Sequence, residues 1–136
     1  MKYFLKLVSS LPISFLYSIS SILSIVLSNF YRIKTVEDNL KKSFPNLSNN
    51  SLNKIKSNFY KNFCDVLIET IKSNSISKKE LSKRVKFQNF DVINDHVTKN
   101  ERVVVLTSHQ CNWEWLLLSS QDKLISDLHV IYKSLS

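Results

Sequence analysis

Glycine is missing from all 136 residues. Loops that depend on it, namely the P-loop, the dinucleotide-binding fingerprint, the EF-hand and the G-x-S-x-G nucleophile elbow, are therefore excluded, and many common enzyme classes with them. Cysteine occurs twice, at Cys64 and Cys111. The two are far apart and have neither C-x-x-C nor metal-ligand spacing, which fits free thiols in a reducing compartment and argues against a disulfide scaffold or a zinc site. Acidic residues are scarce too: eleven stand against nineteen Lys and Arg, a net charge of +8. That excess favours anionic partners such as phospholipid surfaces, phosphorylated substrates, acidic proteins or nucleic acid. No nucleic-acid motif or basic recognition helix accompanies the charge, so nucleic acid is not expected as a partner. The length fits one domain and is small for a complete two-layer enzyme.

Charge is absent over a long stretch near the amino terminus. Residues 7–31 are twenty-five uncharged positions, eight of them serine. As a helix rising 1.5 Å per residue such a segment could cross a hydrocarbon core of roughly 30 Å. At 100° per residue Ser10, Ser14, Ser18, Ser21, Ser24 and Ser28 fall within about 120° of one another, with Leu, Ile, Phe and Val around the rest. Such a stripe packs closely against protein while the other sides meet lipid, or it faces the headgroups of a helix lying in the interface. A cleaved signal peptide is the rival reading, opposed by the bulky "LSNFY" end, which lacks an A-x-A-like cleavage site. Lys2 and Lys6 precede the segment and Arg32 and Lys34 follow it, so the positive-inside rule assigns no orientation. Residues 1–31 are thus expected to form a membrane-anchoring helix, with residues 32–136 as the remaining unit.

Downstream, "TVEDNLKKSFP" predicts a short helix through Val36, Leu40 and Phe44, ended by Pro45. Apolar residues from Leu52 through Ile55, Phe59, Phe63 and Val66 predict an amphipathic helix to about Lys72. On it, Cys64, Asp65 and Glu69 read as surface or helix-packing residues. "SKKE" at Ser77–Glu80 has capping-box spacing and predicts a helix to about Arg84. "VKFQNF" alternates as a strand does, and "DVINDHVTKN" reads as another helix. Residues 32–100 hold fourteen basic and seven acidic positions, interspersed with apolar ones as on the charged face of a folded unit.

The tail concentrates the chemistry. "RVVVL" predicts a short buried strand over Val103 to Leu106, "NWEWLLLSS" a helix capped by Asn112, and "LHVIYK" a second strand. Strand, turn, helix and strand make a βαβ unit, in which ligands collect at the carboxyl ends of strands. His109 falls there, and Glu114 follows in the first helical turn. A neutral imidazole oriented by a carboxylate is a general base near neutral pH. The H-x4-E spacing alone is weak, because His96 and Glu101 repeat it by chance in a polar stretch. Cys111 beside His109 is an alternative nucleophile, and Trp113 and Trp115 read as packing or interfacial residues.

"HQCNWEW" after an apolar run, with "NLKKSFPNLS", "FYKNFCDVLIETIK" and "KRVKFQNFD" upstream and "YKSLS" downstream, resembles the late acyltransferases of lipid A biosynthesis. These belong to a superfamily of membrane glycerolipid acyltransferases marked by a histidine and an acid separated by four residues. The resemblance runs over nearly the whole chain. It implies an α/β fold: an N-terminal membrane helix, a helical segment, then the first strands of a glycerolipid-acyltransferase-like sheet with a βαβ unit. It also implies an enzyme on the cytoplasmic face of the bacterial inner membrane that moves a fatty acyl group from acyl carrier protein to a hydroxyl of a phosphorylated glucosamine lipid, the lipid A precursor, amid membrane phospholipid.

By that resemblance His109 is the base, Glu114 its partner, and Asn112 and Trp113 shape the turn. Tyr132 and Lys133 open the next block, where a basic residue faces the acceptor, so Asn112 and Lys133 are the substrate-binding candidates. No cofactor or metal is implied. Two departures stand out: Ser108 occupies a position that is often glycine in the family, and family members continue well beyond this block. The chain is therefore expected to be an amino-terminal portion with reduced or no activity of its own. The alternative is a non-enzymatic, membrane-bound basic module that binds an acidic partner or anionic lipid.

Overall fold

A computed structural model describes residues 2–108 and 110–131. Its elements are seven helices: α1 (Lys2–Ser10), α2 (Ile13–Phe30), α3 (Ile33–Ser43), α4 (Asn49–Lys72), α5 (Lys78–Arg84), α6 (Asp91–Thr98) and α7 (Trp113–Ser120). They group into two compact units, residues 1–76 and 77–136.

In the first unit the expected long apolar helix is broken at Leu11 and Pro12. Proline has no amide hydrogen and its ring clashes with the preceding turn, so α1 stops and Pro12 serves as the residue before α2. The open carbonyls at this break are taken up from α4. The Lys72 ammonium donates to Ser9 O at 2.7 Å and to Leu11 O at 2.9 Å, and the Ser75 hydroxyl also donates to Ser9 O. A cation at the carboxyl end of a helix also complements its dipole.

Helices α2 and α4 run antiparallel. Tyr17 Oη donates to Glu69 Oε1 at 2.5 Å, Ser20 Oγ to Asp65 Oδ1 at 2.6 Å, and Tyr60 Oη to the Tyr31 carbonyl at 2.7 Å, so rising numbers on α2 meet falling numbers on α4. The buried residues between them are Leu16, Ser20, Tyr60, Cys64 and Ile68. Tyr31 stacks on Phe63 and Tyr60 meets Phe59 edge to face. Asp65 and Glu69 are thus helix-packing residues that accept hydrogen bonds from α2.

The serine stripe does not make this contact. Ser10, Ser18, Ser21, Ser24 and Ser28 return their hydroxyls to carbonyls three or four residues back on their own helix, while Ser20, outside the stripe, is the buried serine of α2. Helix α3 ends just before Phe44 and Pro45, as its sequence predicts, and pairs with α4 through Lys56 Nζ and Glu37 Oε1 at 2.7 Å. That hydrogen bond and the ammonium charge hold the Glu37 carboxyl below its ordinary 4.5. Helix α4 starts three residues earlier than periodicity suggests, because Ser48 caps it by accepting from Ser51 N.

In the second unit Ser77 accepts from Glu80 N, the serine half of the capping box, while the Glu80 carboxylate accepts from Arg84 at 2.8 and 3.0 Å. Helix α5 packs against α7, and together they bury Leu81, Trp115 and Ser120. The Asn94 side chain on α6 donates to Lys123 O and accepts from Ile125 N, and Lys78 meets Asp122 at 2.5 Å, which ties the segment after α7 back to α5 and α6.

The α/β expectation is overturned. No strand exists among the described residues, so neither the sheet nor the βαβ unit forms there. The Val103 to Leu106 run lies open, with Val104 82% and Leu106 92% exposed. "VKFQNF" is a bend closed by Asn89 at φ 55°, with Phe87 and Phe90 edge to face. Leu128, Val130 and Ile131 are exposed and unpaired with another strand; the rest of that expected strand lies outside the described residues. A β-run closes its hydrogen bonds on a neighbour, and β-branched composition cannot supply one.

Candidate active site

The candidate site is built at the start of α7. Asn112 Oδ1 accepts from Trp115 N at 2.9 Å, satisfying one of the amides that a first helical turn leaves open, so the predicted cap is present. Trp115, only 4% exposed, pins α7 into the core of its unit, and Trp113 is half-buried. Glu114 sits in the first turn, half-buried, where the positive end of the helix dipole favours a carboxylate. The cap fixes where the helix begins and hence where Glu114 stands.

Just before the cap, Cys111 takes φ 51°, the left-handed region that glycine would occupy at little cost. Among the described residues of a chain without glycine four do this: Arg32, Asn89, Asn100 and Cys111. Asparagine tolerates the conformation, whereas arginine and cysteine store strain of about 1–2 kcal/mol. The left-handed Cys111 bends the chain just before the helix. Replacing Cys111 with Gly is expected to stabilise the fold by about 0.5–1 kcal/mol, because strain relief exceeds the added freedom of the unfolded chain. A thermal melt checks this by an upward shift of about 3 °C.

His109, Tyr132 and Lys133 lie outside the described residues, so the candidate base and the second substrate-binding candidate carry no geometry. Among the described residues Glu114 has no hydrogen-bond partner, and Asn112 serves the α7 backbone. The other H-x4-E pair, which the sequence offers only as a coincidence, is closed: His96 Nδ1 lies 2.5 Å from Glu101 Oε2, both side chains about half-exposed. Asn100 at φ 62° folds the chain back at the end of α6 and brings Glu101 onto the ring. A five-residue offset is therefore short enough for imidazole and carboxylate to meet when a left-handed residue lies between them. The sequence carried no periodic signal for that contact, which depends on the turn.

Of the two thiols, Cys64 is fully buried on α4, and burial, with the Asp65 charge, pushes its acidity down and its pKa above the ordinary value. It is a packing residue; thiolate chemistry is disfavoured there. Cys111 is exposed. A cavity of about 270 Å³ opens between α3 and α4 beside Glu37 and Lys56, and none of its lining residues belongs to the α7 turn.

The family model for bacterial lipid A biosynthesis acyltransferases matches residues 2–122. The chain belongs to that family. The matched span holds all seven helices and the whole H-x4-E turn, and it stops short of Lys133. No curated protein and no solved structure matches the chain. Membership supports acyl transfer in lipid A biosynthesis as the broad activity, and one helix near the amino terminus, α2, is long and apolar enough to cross a membrane.

Proposed function

We propose that this acyltransferase-family chain transfers a fatty acyl group from acyl carrier protein to a hydroxyl of a phosphorylated glucosamine lipid at the cytoplasmic face of the inner membrane. The observation that carries the reading is the family match running through a histidine-to-glutamate turn whose helix start is fixed by the Asn112 cap. His109 takes the proton of the acceptor hydroxyl as that oxygen attacks the thioester carbonyl. The tetrahedral intermediate then collapses, the carbon–sulfur bond breaks, and the carrier thiolate leaves with the proton returned from the imidazolium. Glu114 orients the ring and stabilises its charged form.

The thioester is already activated, so the scheme needs no cofactor. Basic side chains, Lys133 among them, fit both the acidic carrier and the phosphorylated acceptor. The apolar amino-terminal segment seats the enzyme where its lipid acceptor lies.

The test measures transfer from acyl carrier protein to a lipid A precursor by the chain as given, by a form extended through downstream coding sequence, and by Glu114→Gln in whichever form is active. The Gln variant is expected to lose about 100-fold in kcat, since a neutral amide no longer stabilises the imidazolium. Undiminished transfer by Glu114→Gln would remove Glu114 from the mechanism. Transfer by neither form would favour the basic membrane-bound module.

A further inference from the structure

The apolar helix α2 is long and apolar enough to cross a membrane by length and composition. Its packing argues for a different seat. At 18 residues it measures about 27 Å, slightly less than a hydrocarbon core. It also lies along α4 from end to end, from the Tyr17 to Glu69 bond at its start to the Tyr60 to Tyr31 bond at its finish. Near its midpoint Ser20 donates to Asp65, and Lys61 and Glu69 stand one turn to either side on α4. If α2 crossed the bilayer, α4 would travel with it, and an aspartate would sit near the centre with a lysine and a glutamate close by. Those are the residues that hydrocarbon accepts least.

The surface of α2 is also one-sided. Its face towards α4 holds Leu16 and Ser20. On one flank Phe15, Ile19, Ile22 and Val26 recur at intervals of four, three and four and are all exposed, while the other flank is mostly serine with exposed Ile25 among it. Helix α1 adds exposed Tyr3, Phe4 and Leu7. Lys6 precedes α2, and Arg32 and Lys34 follow it. On a spanning helix these cations would fall on opposite sides; on a helix in the plane of the membrane all reach the anionic headgroups of one leaflet.

We infer that α2 is an in-plane anchor: the Phe15, Ile19, Ile22 and Val26 edge sinks into a single phospholipid leaflet, α4 rides above it, and both ends of α2 stay on the same side. This rests on the membrane seat proposed above. It also answers what the flanking charges leave open, because cations at both ends then belong to the cytoplasmic leaflet.

Single cysteines at Ser10, Ile22 and Lys34 test it in the full chain carrying Cys111→Asn, with buried Cys64 left in place. A membrane-impermeant maleimide is applied to sealed vesicles of each orientation. The expected result is a membrane-bound chain in which Ser10→Cys and Lys34→Cys label from the same face and Ile22→Cys loses labelling from both. Lys6→Cys and Thr35→Cys repeat the end-to-end comparison should either first variant fold poorly. Labelling of the two ends from opposite faces overturns the inference in favour of a spanning helix. Oxidant-driven Ile22→Cys dimers overturn it in favour of a second copy covering the edge. Recovery of the parent chain in the soluble fraction overturns the membrane seat itself, and is told apart by fractionation before any labelling.

Discussion

Replacing His109 with Ala is expected to lower kcat for acyl transfer about 1,000-fold in the active form of the enzyme, equivalent to about 4 kcal/mol of transition-state stabilisation. The loss follows from the task. An alcohol is a poor nucleophile near neutral pH, and a positioned base takes its proton in the transition state. The base must be neutral to act, so the rate should rise with pH as the imidazole gives up its proton. The variant should lose that rise along with its activity. Two controls separate chemistry from folding. His96→Ala breaks the exposed pair with Glu101 and should leave the rate unchanged. Cys111→Gly should also keep transfer, whereas an acyl-enzyme route through that thiol would abolish it. A His109→Ala enzyme of undiminished rate would end the general-base assignment.

Tyr60→Ala is expected to cost about 4 kcal/mol of stability, a large share of what a domain of this size possesses. The ring is fully buried, meets Phe59 edge to face, and its hydroxyl donates to the Tyr31 carbonyl at the end of α2. Removing the ring opens a cavity between α2 and α4 and frees that carbonyl. Tyr60→Phe keeps the packing and loses the hydrogen bond, for about 1 kcal/mol. Denaturant titration in mild detergent, followed by circular dichroism, measures both. Equal small effects for Ala and Phe would show that the α2 and α4 interface is not the core of its unit.

Burial raises the Tyr60 phenol above its ordinary 10.0. For an acid raised in this way the folded state favours the neutral form. Its contribution is whole below pH 10 and fades as pH climbs through the raised value. Alkaline destabilisation of the parent chain should accordingly shrink in Tyr60→Phe.

Helix ends were legible at Ser77, Asn112 and Pro45, where a local side chain or a proline makes them. Ser77 and Asn112 accept the amides their positions promise, and Pro45 closes α3. Ser48 does the same for α4, although periodicity alone starts that helix at Leu52. Pro12 was there to be read and interrupts what length and composition present as one helix. The strands were not legible. Four apolar residues, three of them β-branched, describe a side-chain preference, while a strand exists only as one side of a hydrogen-bonded pair.

The site divides along the same line. Glu114 and its cap follow from neighbours within three residues. The closed His96 to Glu101 pair follows from a left-handed Asn100 that no spacing rule announces.

Composition and local pattern settled the basic charge, the absence of glycine-dependent chemistry, the position of the capped helix start and the histidine and acid placed around it. These are properties of residues and their near neighbours, governed by propensities and hydrogen bonds within a turn or two. Tertiary structure alone decided which side of α2 is buried. The serine stripe and the apolar edge are each consistent periodic surfaces, and the choice fell to Ser20 because Asp65, forty-five residues away, stands opposite it. Contacts between distant segments carry no periodic signature in either segment, so they become visible only once the chain has folded.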